Sequence, residues 1–311
     1  MLIGHFGCSN MRRHLTERRE ECDRLCQQAR NAKNDGWPDQ ADLLLNEAVR
    51  QRPDDLETRR RLADALWECG RQQEAYAEYK ELAESHSRDL GLQQRLAVMC
   101  WTLGQRPEAA LSAARALRLD PNCVDALLVK ARYEVSQRDF EAAVATYIRL
   151  SRAAPDLVEA KLELAEVHVE RGYSNQACTV LREALSQTQL PATQRAEAEW
   201  KLGLAYASAD RWPESAQHLE NSIDQRNATA ADWQMLATAM MLAGKDTSNL
   251  QSKAQLAAAR QTAETTSSAW NDLRDRMLVR GQIIAGAAAQ NGIIRADFSR
   301  TAQSDAMPPI Q

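Results

Sequence analysis

Small and apolar positions recur along the chain at a fixed interval. Ala29, Ala63, Ala97, Ala131 and Ala165 are each 34 residues apart, and so are Ala41, Ala75, Ala109, Ala143 and Ala177 twelve residues further on. Gly36, Gly70, Gly104 and Gly172 fall five residues before the second series, with Arg138 in the one gap. Pro53, Pro121 and Pro155 keep the register twelve residues after it, where Ser87 and Gln189 replace proline in the other two units. Five consecutive units that agree in four columns make a repeat. A repeat of this length is one supersecondary unit, which buries its apolar face only by stacking on its neighbours.

Each unit reads as two helices. Leu62, Ala63 and Leu66 form a helical stripe, Gly70 ends that helix, and Ala75, Tyr79 and Leu82 form the stripe of the next. Alanine at the crossing lets two antiparallel helices approach closely, where a larger side chain forces them apart. Glycine suits a left-handed turn between them. Pro38, Pro107 and Pro213 fall at the starts of second helices, Pro53, Pro121 and Pro155 at their ends, Pro191 in a connector, and Pro308 and Pro309 in the tail. None falls in a helix interior, where it would cost roughly 3 kcal/mol.

After Gln189 the register slips by four residues. A sixth unit resumes with Leu202, Gly203 and Tyr206, then Ser215, Leu219 and Ser222, and a seventh with Trp233, Leu236, Ala237, Met240 and Gly244. The predicted organisation is an unstructured start over 1–11 and a solenoid over 12–263. Its units are 22–55, 56–89, 90–123, 124–157, 158–191, 196–229 and 230–263, the last with a degenerate second helix. A capping helix over 264–291 covers the final apolar edge, and an unstructured tail spans 292–311.

Composition narrows the function class. Hydrophobic residues are 44% and charged residues 26%, with only 12 glycines and 5% aromatics, which suits helices and disfavours a β-sandwich or barrel. A net charge of −4 argues against a general nucleic-acid binder. The longest apolar run, Ile283 to Ala289, is too short to span a membrane. Seven scattered cysteines point to a reducing compartment, hence a cytoplasmic protein. The Gly7-Cys8 pair faintly resembles the end of a lipoprotein signal, so a lipid-anchored envelope protein attached at Cys8 is the alternative if the true start lies upstream.

The 34-residue period, the small residue at the eighth and twentieth positions, the large one at the twenty-fourth and the proline at the thirty-second resemble the tetratricopeptide repeat family. Trp233-x-x-Leu236-Ala237 is close to its opening motif. The resemblance implies an all-α, right-handed solenoid of antiparallel helix pairs whose first helices line a concave groove. It implies a protein partner, bound as an extended peptide or a helix. The family's groove columns fall here on Glu57, Arg60, Asp64, Trp67 and Glu68, then Gln94, Val98 and Trp101. They continue through Asp125, Leu128 and Arg132, then Glu159, Leu162, Glu166 and Glu170, and then Glu197, Trp200 and Leu204.

Trp67 and Trp101 are 34 apart, either anchoring a partner or packing sideways on the next unit. Glu159, Glu166 and Glu170 either attract a basic, partly apolar segment or form a solvated face. The family's co-chaperone branch carries a clamp for an acidic C-terminus. Its positions fall on Cys26, Arg30 and Arg61, an incomplete set, so that function is not carried over.

No phosphate loop, nucleophile elbow or H-E-x-x-H is present. Cys22 and Cys26 have an i, i+4 spacing that suits a metal, but no second pair follows, and the first unit needs small apolar residues there. His168 lies in a column held elsewhere by Leu66 and Tyr206, so it reads as a packing histidine. The sequence predicts a non-catalytic interaction scaffold without metal or cofactor, with a regulatory module of an enzyme complex as a further alternative.

Overall fold

The computed structural model describes residues 4–51, 55–187, 189–225, 228–248, 250, 253 and 269–290. Pro53, most of the last pair's second helix and the tail over 292–311 lie outside them. Among the described residues the chain forms α-helices and no strand. It divides into two compact units, Met1–Asp139 and Phe140–Gln311.

The first unit holds α1 (Gly4–Asn34), α2 (Pro38–Gln51), α3 (Leu56–Glu68), α4 (Gln72–Ser85), α5 (Leu90–Thr102), α6 (Arg106–Leu119) and α7 (Val124–Ser136). The helix α1 takes in most of the stretch 1–11 expected to be unstructured. Helices α1 and α2, α3 and α4, and α5 and α6 pack as pairs, and the stacking of pairs also brings first helices together, α1 on α3 and α5 on α7. The core includes Leu45, Leu66, Tyr79, Leu82, Leu92 and Met99, all essentially inaccessible. Each such leucine contributes about 1.5–3 kcal/mol by leaving water.

The second unit holds α8 (Phe140–Ala153), α9 (Val158–Glu170), α10 (Ser174–Leu185), α11 (Ala192–Ser208), α12 (Trp212–Ile223), α13 (Ala230–Leu242) and α14 (Ala269–Gln290). Helices α9 to α13 again stack in chain order. The last helix breaks that order. It packs against α9, α11 and α13, the first helices of three successive pairs, rather than simply closing the end of the stack.

Local chemistry accounts for the boundaries. Asp55 caps α3 by accepting from the Thr58 amide at 3.0 Å, and Asp89, 34 residues on, caps α5 by accepting from Leu92 at 2.9 Å. Thr229 and Asp232 form a reciprocal capping box at the start of α13. Every first helix ends the same way. After α3, the Arg71 amide donates to Leu66 C=O at 2.8 Å and the Gly70 amide to Trp67 C=O at 3.0 Å. This is the Schellman arrangement, which needs a left-handed residue at its centre. Gly70 supplies it with φ 93°, and Arg138 and Asp210 hold the same place after α7 and α11 with φ 60° and 58°. The alanines of both columns are buried to 2% exposure or less, at the crossings of paired helices.

Candidate protein-interaction surface

In the first unit the first helices are α1, α3, α5 and α7, and polar bridges run between them. Asp23 of α1 pairs with Arg61 of α3 at 2.6 Å, and Arg30 of α1 with Glu68 of α3 at 2.5 Å. Asp64 of α3 pairs with Arg95 of α5 at 3.3 Å. Gln94 of α5 donates to Asp125 of α7 at 2.5 Å. Asp64 also accepts from the buried Tyr79 hydroxyl at 2.8 Å. Burial and the adjacent carboxylate push that phenol up to about 12, so it remains a donor. Arg60 pairs with Glu57 and lies over Gly91, where an added Cβ would come within 3.2 Å of the guanidinium.

Trp67 and Trp101 stand beside these bridges. Both are half-buried and packed on one side against the core. The Arg95 guanidinium lies 6.0 Å from the Trp67 ring centroid, and Arg106 lies 5.9 Å from that of Trp101. Val98, Leu128 and Arg132 are half-buried on the same set of helices, and Glu68 is exposed. Both tryptophans therefore pack on the core while keeping part of their surface accessible.

The second unit treats the same columns differently. Leu162, Trp200 and Leu204, expected on an open groove, are 7%, 3% and 0% exposed. They belong to the unit's apolar core, which also contains Trp270, Leu273 and Met277 of α14. Helix α14 packs against the helices that carry them, α9 and α11, and against α13. These three residues are thus unavailable as free anchors. Glu166 is half-buried and Glu170 exposed, both on α9. The acidic column and the Trp67/Trp101 pair sit in different units.

Helix α14 is held by both apolar and charged contacts. Trp270, Leu273 and Met277 follow an i, i+3, i+7 pattern and are 5%, 4% and 8% exposed. Arg274 pairs with the buried Asp232 at 2.9 Å, and Arg280 with Asp210 at 2.5 Å. Asp210 is the left-handed residue of the α11 turn, a place that five of the other six turns give to glycine. Lys201 lies 5.6 Å from the Trp270 ring centroid. At Gly281 an added Cβ would collide with the Thr238 methyl, so the two backbones approach as closely as glycine permits.

Other singled-out residues settle into packing. Cys22 and Cys26 are 0% and 1% exposed in the first unit's core. The second therefore cannot serve in a groove clamp, and Arg30 and Arg61 are engaged with Glu68 and Asp23. His168 is 7% exposed, with Nδ1 lacking a hydrogen-bond partner among the described residues. Burial, then the nearby Arg171 charge, lowers its pKa, so it packs as a neutral ring. Sequence reasoning missed α14's contacts. The signal was present: Leu162, Val169, Trp200, Leu204 and Ala207 make the groove columns more apolar here than in the first unit.

A sequence-family model described as tetratricopeptide repeat matches residues 26–89, 100–157 and 128–191, together half of the chain. No curated protein matches. Among solved structures, a tetratricopeptide repeat protein from Parabacteroides merdae is 14% identical with a TM-score of 0.55, over 85% of this chain and 99% of that one. A structure from a functional characterisation of Pseudomonas aeruginosa pilF is 15% identical with a TM-score of 0.51, over 68% of this chain and 95% of that one. MamA from Desulfovibrio magneticus is 18% identical with a TM-score of 0.50, over 55% and 94%. At these identities the likeness is one of fold.

Proposed function

The chain belongs to the tetratricopeptide repeat family, a family of protein-interaction scaffolds, and from that premise we propose that the first-helix face of its first unit grips a segment of a partner protein. The observation that carries this reading is the pair of half-buried tryptophans 34 residues apart, each anchored on the core at one side and reachable at the other. Tryptophan suits an anchor because it buries much area for little rotamer entropy. Val98 and Leu128 extend the apolar strip.

The charges on this face are bridged to one another. They fix orientation and add little net attraction, since exposed ion pairs are worth about 0–1 kcal/mol. The partner segment is thus partly apolar, and its affinity is only modestly sensitive to salt. The scaffold is non-catalytic and works by holding its partner. Among the described residues no helix is long and apolar enough to cross a membrane.

Peptides selected from a random library on the wild-type chain provide the probe. They should bind at around micromolar Kd, because ordering a flexible ligand offsets much of the contact energy. Trp67→Ala combined with Trp101→Ala should weaken them on the order of ten-fold or more, each truncation costing about 1 kcal/mol or above. The melting temperature should fall only modestly, because each ring packs on the core with only part of its surface. Full affinity in the double variant, or a large fall in melting temperature, would rule out the anchor role.

A further inference from the structure

We propose that the first-helix groove of the second unit is a binding site for an amphipathic helix, that α14 is its resident occupant, and that a partner helix of the same pattern binds there by displacing it. This goes beyond the reading given for the first unit and does not depend on it.

In the first unit, Trp67, Val98 and Leu128 stay half-buried on the first helices. In the second, Leu162, Trp200 and Leu204 on the corresponding helices are buried. What differs is one added helix, which touches first helices and so lies along the face that the first unit leaves uncovered. The solenoid would stack without it: α9 to α13 contact one another in chain order, with α14 laid across three of them.

The occupant has the form of a ligand. Its apolar side chains recur at i, i+3 and i+7 (Trp270, Leu273, Met277), the pattern by which a helix reads a groove. Between and beyond them Arg274 and Arg280 reach carboxylates of the solenoid, Asp232 and Asp210. The site therefore selects a helix with an aromatic residue, aliphatic residues three and seven positions on, and a basic residue at the fourth. The fit is close but incomplete. Trp270 Nε1 is buried without a hydrogen-bond partner among the described residues. Leaving a buried donor unpaired weakens docking and favours exchange with a helix that lacks this defect.

Occupancy by α14 sets the threshold for a partner. A groove open in a tenth of molecules binds a competing helix about ten-fold more weakly than a groove always open. Such an arrangement lets the chain refuse weak ligands and accept strong ones.

The test uses the full-length chain and a fluorescent peptide of residues 269–290. In one variant, Leu273→Asp and Met277→Asp loosen the resident helix. In a second, Gly281→Leu blocks docking by bulk, without adding a charge. Both should bind the peptide on the order of ten-fold or more tightly than wild type does, with the excess set by the closed fraction of the wild-type groove. A peptide carrying the two aspartates should bind none of the chains. Equal affinity for wild type and variants, or binding to none of them, overturns the proposal. So does loss of the cooperative melt in both variants, because α14 is then an integral part of the fold and not a ligand.

Discussion

At the scale of single residues, the alanine columns define what each crossing tolerates. Ala75 and Ala109 are fully buried where paired helices touch, and in the sixth unit Ser215 holds the equivalent position, also at 0% exposure. Its hydroxyl has no hydrogen-bond partner among the described residues. A buried polar group left unpaired costs about 1–3 kcal/mol. Ser215→Ala removes that cost, leaves the backbone spacing unchanged and restores the residue of the other units. It should stabilise the chain by about 1 kcal/mol, read as a higher midpoint in urea at constant slope. The neighbouring Gly203 shows how tight the crossing is, because a Cβ there would come within 2.7 Å of Leu219. A lowered midpoint for Ser215→Ala would mean that the hydroxyl is bonded after all.

At the scale of the element, the turn after each first helix repeats one hydrogen-bond geometry, and the residue at its centre alone varies. Arg138 adopts φ 60°, a left-handed conformation that costs a residue with a Cβ roughly 1–2 kcal/mol. Arg138→Gly relieves this strain, whereas Arg138→Ala keeps it. Both lose the same side-chain interactions, so the glycine variant should be more stable than the alanine variant by about 1 kcal/mol in thermal or denaturant unfolding. Parity between the two would show that the turn relaxes away from the left-handed region. These turns were legible in the sequence, because a Schellman turn is local: glycine spacing and apolar stripes within some thirty residues specify it. The placement of α14 was not legible in the same way. It joins residues near 275 to residues near 165, and no repeat register links the two. Only the extra apolarity at Leu162, Trp200 and Leu204 hinted that something covers them. Trp67 and Trp101 were legible as candidates, but their half-burial depends on side-chain packing that a column of letters does not contain.

At the scale of the whole molecule, the stacking pattern has an energetic consequence. A globular domain shares one core, so a cavity anywhere lowers the stability of everything. Within each unit the helices contact near neighbours in sequence (α2 touches α1 and α3, and α10 touches α9 and α11), with α14 as the long-range exception in the second. Stability is then close to a sum of terms for each repeat and for each interface between neighbours. Leu45 of α2 is 0% exposed, and Leu45→Ala leaves a cavity worth about 2–5 kcal/mol. That loss should fall on its own neighbourhood. Native-state hydrogen exchange should show amides of α1 to α4 opening at lower free energy than in wild type, while those of α11 to α13 keep their protection. The same gradient should appear as a broadened thermal transition, since repeats no longer unfold as one step. A uniform loss of protection along the chain, with a sharp single transition, would instead mean that the repeats unfold as one cooperative body, and the additive description would fail.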